Sequence, residues 1–190
     1  MALHSQSKDL RILQWNCLSF RQSRASIQEL SKNYDVIILC ETWLNPLDNA
    51  TLKGFVIVSN DRPAGKGGGT SIYIRNSIPF NAITTYNSTH NFESNAVSIL
   101  TSQGELLIVS VHRPPNLPID NVHLQRLLSS IDSFKSILLA GDFNKVDRDS
   151  NSTCNLGDEI NASFGQWLLE LLDCFYKGIL EKYRSFDHLG

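Results

Sequence analysis

The run Ile137-Leu138-Leu139-Ala140 leads into Gly141-Asp142-Phe143-Asn144, the pattern of a buried strand that delivers polar groups at its end. Asp142 offers a carboxylate able to take a proton, and Asn144 an amide able to orient a water or a phosphate oxygen. Two residues apart on a strand, they share a face. Taken alone, the pair is equally explained by an Asx turn in which both side chains bond only the local backbone. The arrangement recurs upstream, however. The strand-like run from Leu10 ends on the amide of Asn16, and Asp35 to Cys40 ends on Glu41. A carboxylate so placed escapes a penalty of several kcal/mol only by reaching water, a donor or a cation. A further strand, Glu105 to Val111, runs into His112 and Arg113. These offer one donor or acceptor and one fixed cation, a pairing suited to phosphate; the alternative is an exposed strand end broken by Pro114 and Pro115.

Strands that end at one edge of a sheet or sandwich bring Asn16, Glu41, His112, Arg113, Asp142 and Asn144 into one pocket. Carboxylate and carbonyl oxygens with open water positions suit magnesium, which polarises a phosphoryl oxygen. That combination is what phosphodiester hydrolysis requires.

The elements that must position these groups are legible in outline. Ile27, Leu30 and Tyr34 keep helical spacing, with Ser26 and Glu29 in the form of a capping box. Strands are expected at Phe55 to Ser59, Thr70 to Arg75, Phe80 to Tyr86 and Glu93 to Leu100, with Gln103-Gly104 as a turn into the strand that ends at His112. Between Ser59 and Thr70 lies a glycine-rich loop that includes Gly67-Gly68-Gly69. It lacks the spacing of a phosphate-binding loop and precedes a strand, so it reads as a flexible turn with tight strand packing. Arg62, Lys66 and Arg75 could supply a local positive rim. Leu124, Leu127, Leu128 and Ile131 form an apolar stripe on a helix that leads to the 137–144 stretch, and Phe164 to Phe175 has the spacing of a second core-packing helix. The polar run 145–161 does not match the spacing of an EF-hand and reads as a solvated loop. Many strands with short turns and three helices predict two sheets packed face to face with helices outside.

At 190 residues the chain suits one domain, and its formal net charge of −2 offers no general attraction to nucleic acid. That argues against a simple basic binding module, and any nucleic-acid role must rest on a local patch or a metal. The four cysteines, Cys17, Cys40, Cys154 and Cys174, show no CxxC spacing and read as structural thiols of a reducing compartment. No apolar stretch approaches the roughly 18 residues of a membrane span, and no membrane partner is expected.

In this order, Ile12-Leu13-Gln14-Trp15-Asn16, Cys40-Glu41-Thr42-Trp43-Leu44, Gly67-Gly68-Gly69 before a strand, Val111 to Asn116, and Leu139 to Asn144 resemble the motifs of the endonuclease/exonuclease/phosphatase superfamily. More narrowly, they are similar to the endonuclease domain of non-LTR (LINE-type) retrotransposons. Each motif is weak alone; the ordered set is specific. The resemblance implies an α+β fold, a two-sheet sandwich flanked by helices in four α/β/β/α layers, spanning 9–175 between tails at 1–8 and 176–190. It also implies that Glu41 ligates Mg2+ or Mn2+ with Asn16 beside it, and that Asp142 activates the attacking water. Asn144 would then bind the phosphate, with Arg113 near the substrate backbone. The implied activity is nicking of chromosomal DNA by a monomeric nuclear endonuclease that works alongside a reverse transcriptase domain. The competing expectations are a DNA-binding remnant without catalysis and a phosphatase of the same superfamily.

Two departures from the family pattern stand out. His112 occupies a position that is usually Tyr, from which it could still donate to a phosphate. Family members also continue with further strands to a Ser-Asp-His ending, to which Ser185-Phe186-Asp187-His188 bears only a superficial likeness, so the chain is expected to be truncated near its C-terminus.

Overall fold

β2 (Val36–Cys40) is buried at all five positions, which follows from its unbroken apolar sequence. A strand without alternation needs cover on both faces. It receives that cover from a helix on one side and a second sheet on the other. The computed structural model describes residues 10–62, 67–85, 92–114, 126–127 and 129–142, and these form two four-stranded mixed sheets.

In the first sheet, β1 (Ile12–Asn16) runs parallel to β2, while β4 (Thr70–Arg75) pairs antiparallel with β2 and with β3 (Phe55–Asn60). In the second, β5 (Phe80–Ile83), β6 (Glu93–Thr101) and β7 (Gly104–His112) form an antiparallel meander, and β8 (Ser136–Asp142) joins β7 in parallel. Helical residues 126, 127 and 129–131, with Leu127 and Ile131 buried, precede β8.

The period of two along β2 sorts its side chains between two cores. Val36 and Ile38 join Ile72 and Ile74 of β4 against Val97, Ile99 and Ile108 of the second sheet. Ile37 and Leu39 face the other way and pack with Phe20, Ile27, Leu44, Leu52 and Tyr73. Each of these fully buried aliphatic side chains contributes about 1.5–3 kcal/mol.

The helix α1 (Phe20–Leu30) corrects one expectation. It begins six residues before Ser26, so Ser26 and Glu29 lie inside it and form no capping box. Its start is fixed by packing instead of a cap. Phe20 is buried and stacked on Tyr73, with ring centroids 5.7 Å apart, and its N–H donates to the Thr42 carbonyl at 2.8 Å. Ser19, in the N-cap position, makes no side-chain capping bond. The expected helix at Phe164 to Phe175 and the run 145–161 lie outside the described residues.

The consequence for function is positional. In the parallel pairs Asn16 stands opposite Cys40, and His112 opposite Asp142. The antiparallel pairs set Cys40 against Thr70, and His112 against Glu93. The ends of β1, β2, β7 and β8 and the beginnings of β4 and β6 therefore share one edge of the sandwich.

Candidate active site

Two couples of side chains occupy that edge. The first spans the two sheets: Asn16 Nδ2, at the end of β1, donates to Asp142 Oδ2, at the end of β8, at 2.5 Å. The Asp142 carbonyl accepts from the Arg113 N–H at 2.9 Å, which carries the ladder one residue past β7. Asn16 Oδ1 is buried with no hydrogen-bond donor, an orphaned acceptor of the kind that ordinarily finds a partner.

The second couple is built around His112, which is 0% exposed. Its Nδ1 lies 2.7 Å from Glu93 Oε2, and its Nε2 lies 2.6 Å from Glu41 Oε1. The Nε2 contact is a charge contact out of line with the ring N–H, because that nitrogen makes no well-directed hydrogen bond. Burial alone disfavours the charged ring. The contacts to Glu41 and Glu93 outweigh it and raise the imidazole to about 9, so an imidazolium stands between two carboxylates at neutral pH. Glu41 responds in the opposite direction. Its contact with His112, together with donation from Gly68 N and Trp43 Nε1, holds it near 2 against the opposing effect of burial. Glu93 is likewise held below its usual range; burial pushes it up, and His112, Arg62 and the Gly69 N–H together push it further down.

The glycine loop supplies the donors. Gly68 N donates to Glu41 Oε2 and Gly69 N to Glu93 Oε2, both at 2.7 Å. The loop expected to be a flexible turn is thus a clamp that holds two acidic side chains by its backbone. Gly69 has φ 84, and a Cβ there would lie 2.5 Å from Thr42 Oγ1, so only glycine brings this amide to Glu93 without strain.

The positive rim does not form as expected. Arg62 Nε is spent on Glu93 Oε1, because a buried carboxylate facing only one imidazolium and one amide still has an oxygen to satisfy. Arg75 lies at the far end of β4, paired with Asp35 at 3.4 Å. Lys66 lies outside the described residues, as do Asn144, Asp187 and His188. Glu93 is the site residue that the sequence reading passed over, taking it as the first residue of a strand. The sequence carries no signal for it, because the burial of the strand's first seven positions, Glu93 included, is a product of the fold.

Residues 13–153 match the Endonuclease/Exonuclease/phosphatase family, a span that contains every described residue of both couples. The chain belongs to that family. Endonuclease/exonuclease/phosphatase proteins are hydrolases of phosphate esters that generally use divalent metal ions. No curated protein sequence matches this chain. Among solved structures, the endonuclease domain of TRAS1, a telomere-specific non-LTR retrotransposon, is similar at a TM-score of 0.54 and 16% identity, over 83% of this chain and 71% of that one. D. rerio TDP2, solved with a single-stranded DNA product, is similar at a TM-score of 0.51 and 21% identity, over 73% and 62% of the two chains. The human Nocturnin catalytic domain is similar at 0.53 and 16%, over 72% and 64%. This chain therefore spans roughly two thirds of the length of these structures, and at such identities the likeness is one of fold.

Among the described residues, no group of three or more His, Cys, Asp and Glu side chains is arranged to hold a metal ion. Glu41 and Asn16 nonetheless supply oxygen donors of the type that a hard divalent cation takes. Glu41 is only partly buried, and the buried Asn16 Oδ1 has an unfilled lone pair.

Proposed function

We propose that this family member is a divalent-metal-dependent DNA endonuclease that nicks target DNA in the manner of a retrotransposon endonuclease domain, acting in the nucleus alongside a reverse transcriptase. The observation that carries the reading is the Asn16–Asp142 bond. It couples an amide with an orphaned oxygen, one strand away from Glu41, to the Asp142 carboxylate of the other sheet.

In this reading Glu41 and Asn16 hold a magnesium or manganese ion, which supplies Lewis-acid polarisation of a phosphoryl oxygen when bound. Asp142 accepts the proton of the attacking water as general base. Asn16 Nδ2 keeps the Asp142 carboxylate aimed by donating to its Oδ2. Asn144 orients the phosphate, and Arg113, which is 3% exposed, reaches the substrate backbone only by leaving its buried seat. His112 is a positioning residue. With both ring nitrogens on carboxylates and no exposed surface, it fixes Glu41, while a phosphate contact would require it to leave that seat.

The test is nicking of supercoiled plasmid by the purified chain with magnesium, with EDTA, and with Asp142→Ala. Magnesium-dependent nicking that Asp142→Ala abolishes supports the endonuclease reading. Binding of DNA without nicking by a folded chain supports instead the non-catalytic remnant. Turnover of small phosphate monoesters without nicking supports the phosphatase.

A further inference from the structure

All four non-glycine residues with left-handed backbone among the described residues fall in two short segments: Leu18 (φ 45) and Ser19 (φ 106) after β1, and Glu41 (φ 55) and Trp43 (φ 54) after β2. Such geometry is costly for residues with a Cβ and persists where the surroundings enforce it, often at functional sites. Here the two segments enforce each other. Cys17 N donates to the Cys40 carbonyl at 3.0 Å, and Ser19 N and Phe20 N donate to the carbonyls of Glu41 and Thr42 at 2.8 Å. Cys17, Ser19, Thr42 and Leu44 are buried, yet Leu18 and Trp43 between them are 59% and 42% exposed. The strained segments therefore hold one aliphatic and one aromatic side chain out to solvent beside the site. Trp43 is also pinned, because its Nε1–H donates to Glu41 Oε2 at 2.7 Å. That leaves a rigid, partly exposed aromatic surface one hydrogen bond from the carboxylate assigned to the metal.

We propose that Trp43 is a nucleobase platform: its indole stacks on an unpaired base next to the phosphate at the candidate site, with Leu18 as the adjoining apolar contact. The inference rests on the endonuclease reading and names how that site grips its substrate. Every base presents a π-face, so such stacking tolerates sequence. A chain with a formal net charge of −2 gains little from general attraction to the phosphate backbone, so a stacking contact adds to whatever a local patch or a metal supplies. Single-stranded or locally unstacked DNA is the expected ligand, because a base held within a duplex has no free face to offer.

The experiment is fluorescence anisotropy of a labelled single-stranded oligonucleotide with the full chain in EDTA, which prevents cleavage. It is repeated with oligonucleotides that carry an abasic residue at each position in turn. Trp43→Ala should weaken binding by about 5- to 150-fold, the range that corresponds to loss of one stacked base. Trp43→Phe, which keeps a ring but loses the bond to Glu41, should recover most of that affinity. One abasic position should reproduce the loss in the wild-type chain and add nothing in Trp43→Ala. Equal binding by wild type and Trp43→Ala, or an abasic penalty that persists undiminished in the variant, overturns the platform and leaves the endonuclease reading standing. Absence of binding by the wild-type chain overturns the platform, whereas the endonuclease reading is overturned only by absence of magnesium-dependent plasmid nicking.

Discussion

Replacing Glu93 by Gln tests whether the carboxylate–imidazolium–carboxylate chain holds the site together. Glu93 is 3% exposed, and its two oxygens receive His112 Nδ1 and Gly69 N at 2.7 Å, together with Arg62. The amide of Gln offers one acceptor oxygen and turns an NH2 toward groups that are already donors, so at least one buried donor is left facing another. Breaking a buried charge pair by removing one partner costs about 3–5 kcal/mol. Partial access of water to Arg62, whose side chain is 18% exposed, moves the expected loss to the low end, about 3 kcal/mol. For a domain of this size that corresponds to a fall in Tm of roughly 6–12 °C.

Urea denaturation and thermal melts in EDTA measure the loss directly, and repeating them across pH gives a second readout. His112 stands at about 9 in the folded chain, above its ordinary 6.5, so its contribution is full below pH 6.5 and disappears as pH rises through 9. Glu41 is held at about 2, below its ordinary 4.5; its contribution is full above 4.5 and disappears as pH falls toward 2. Glu93→Gln should lower the alkaline edge toward neutrality and also weaken the acidic edge, because the depressed Glu93 carboxyl contributes there beside Glu41. A variant within 1 kcal/mol of wild type, with an unchanged alkaline edge, refutes the reasoning.

Three further outcomes are expected. Gly141→Ala should destabilise the chain by about 3 kcal/mol or more, read by denaturant midpoint, because a Cβ there would lie 2.7 Å and 2.9 Å from Val111 C and N at φ 152, a site of real backbone strain. Cys17 and Cys40 are free, buried and pushed up by burial to about 11 and about 12; in a Cys154→Ser, Cys174→Ser background neither should react with a thiol reagent near neutral pH until the protein unfolds. Asn16→Ala should reduce plasmid nicking by at least 100-fold, since it removes both the donor to Asp142 and the oxygen assigned to the metal, and Asn16→Asp should recover part of the metal affinity measured by calorimetry.

The strands were legible because apolar runs ending on polar residues obey local rules, and so were the polar ends of β1, β2, β7 and β8. The helix start was not. Ser26 and Glu29 have the right types for a cap, but the stacking of Phe20 on Tyr73 comes from residues 53 positions apart, which no local pattern reports. The glycine loop failed for the same reason. Its role lies in backbone N–H groups, which every residue except proline carries, and only the positions of Glu41 and Glu93 make them selective. Glu93 stayed hidden because a charge at a strand start is usually solvated, and its partner His112 is fixed by antiparallel register. His112 itself was noticed from sequence, though its seat between two carboxylates was not.

The Asn16–Asp142 bond has one half on each sheet, and Cys40 Sγ approaches the Val111 carbonyl at 3.5 Å across the same seam. Neither sheet owns the candidate couple. A chain whose two sheets have each formed their ladders but not yet closed on one another would show full secondary structure and no site. On the proposed endonuclease reading, competence is a property of the closed sandwich, and nicking reports closure of the two sheets in a way that backbone spectroscopy cannot.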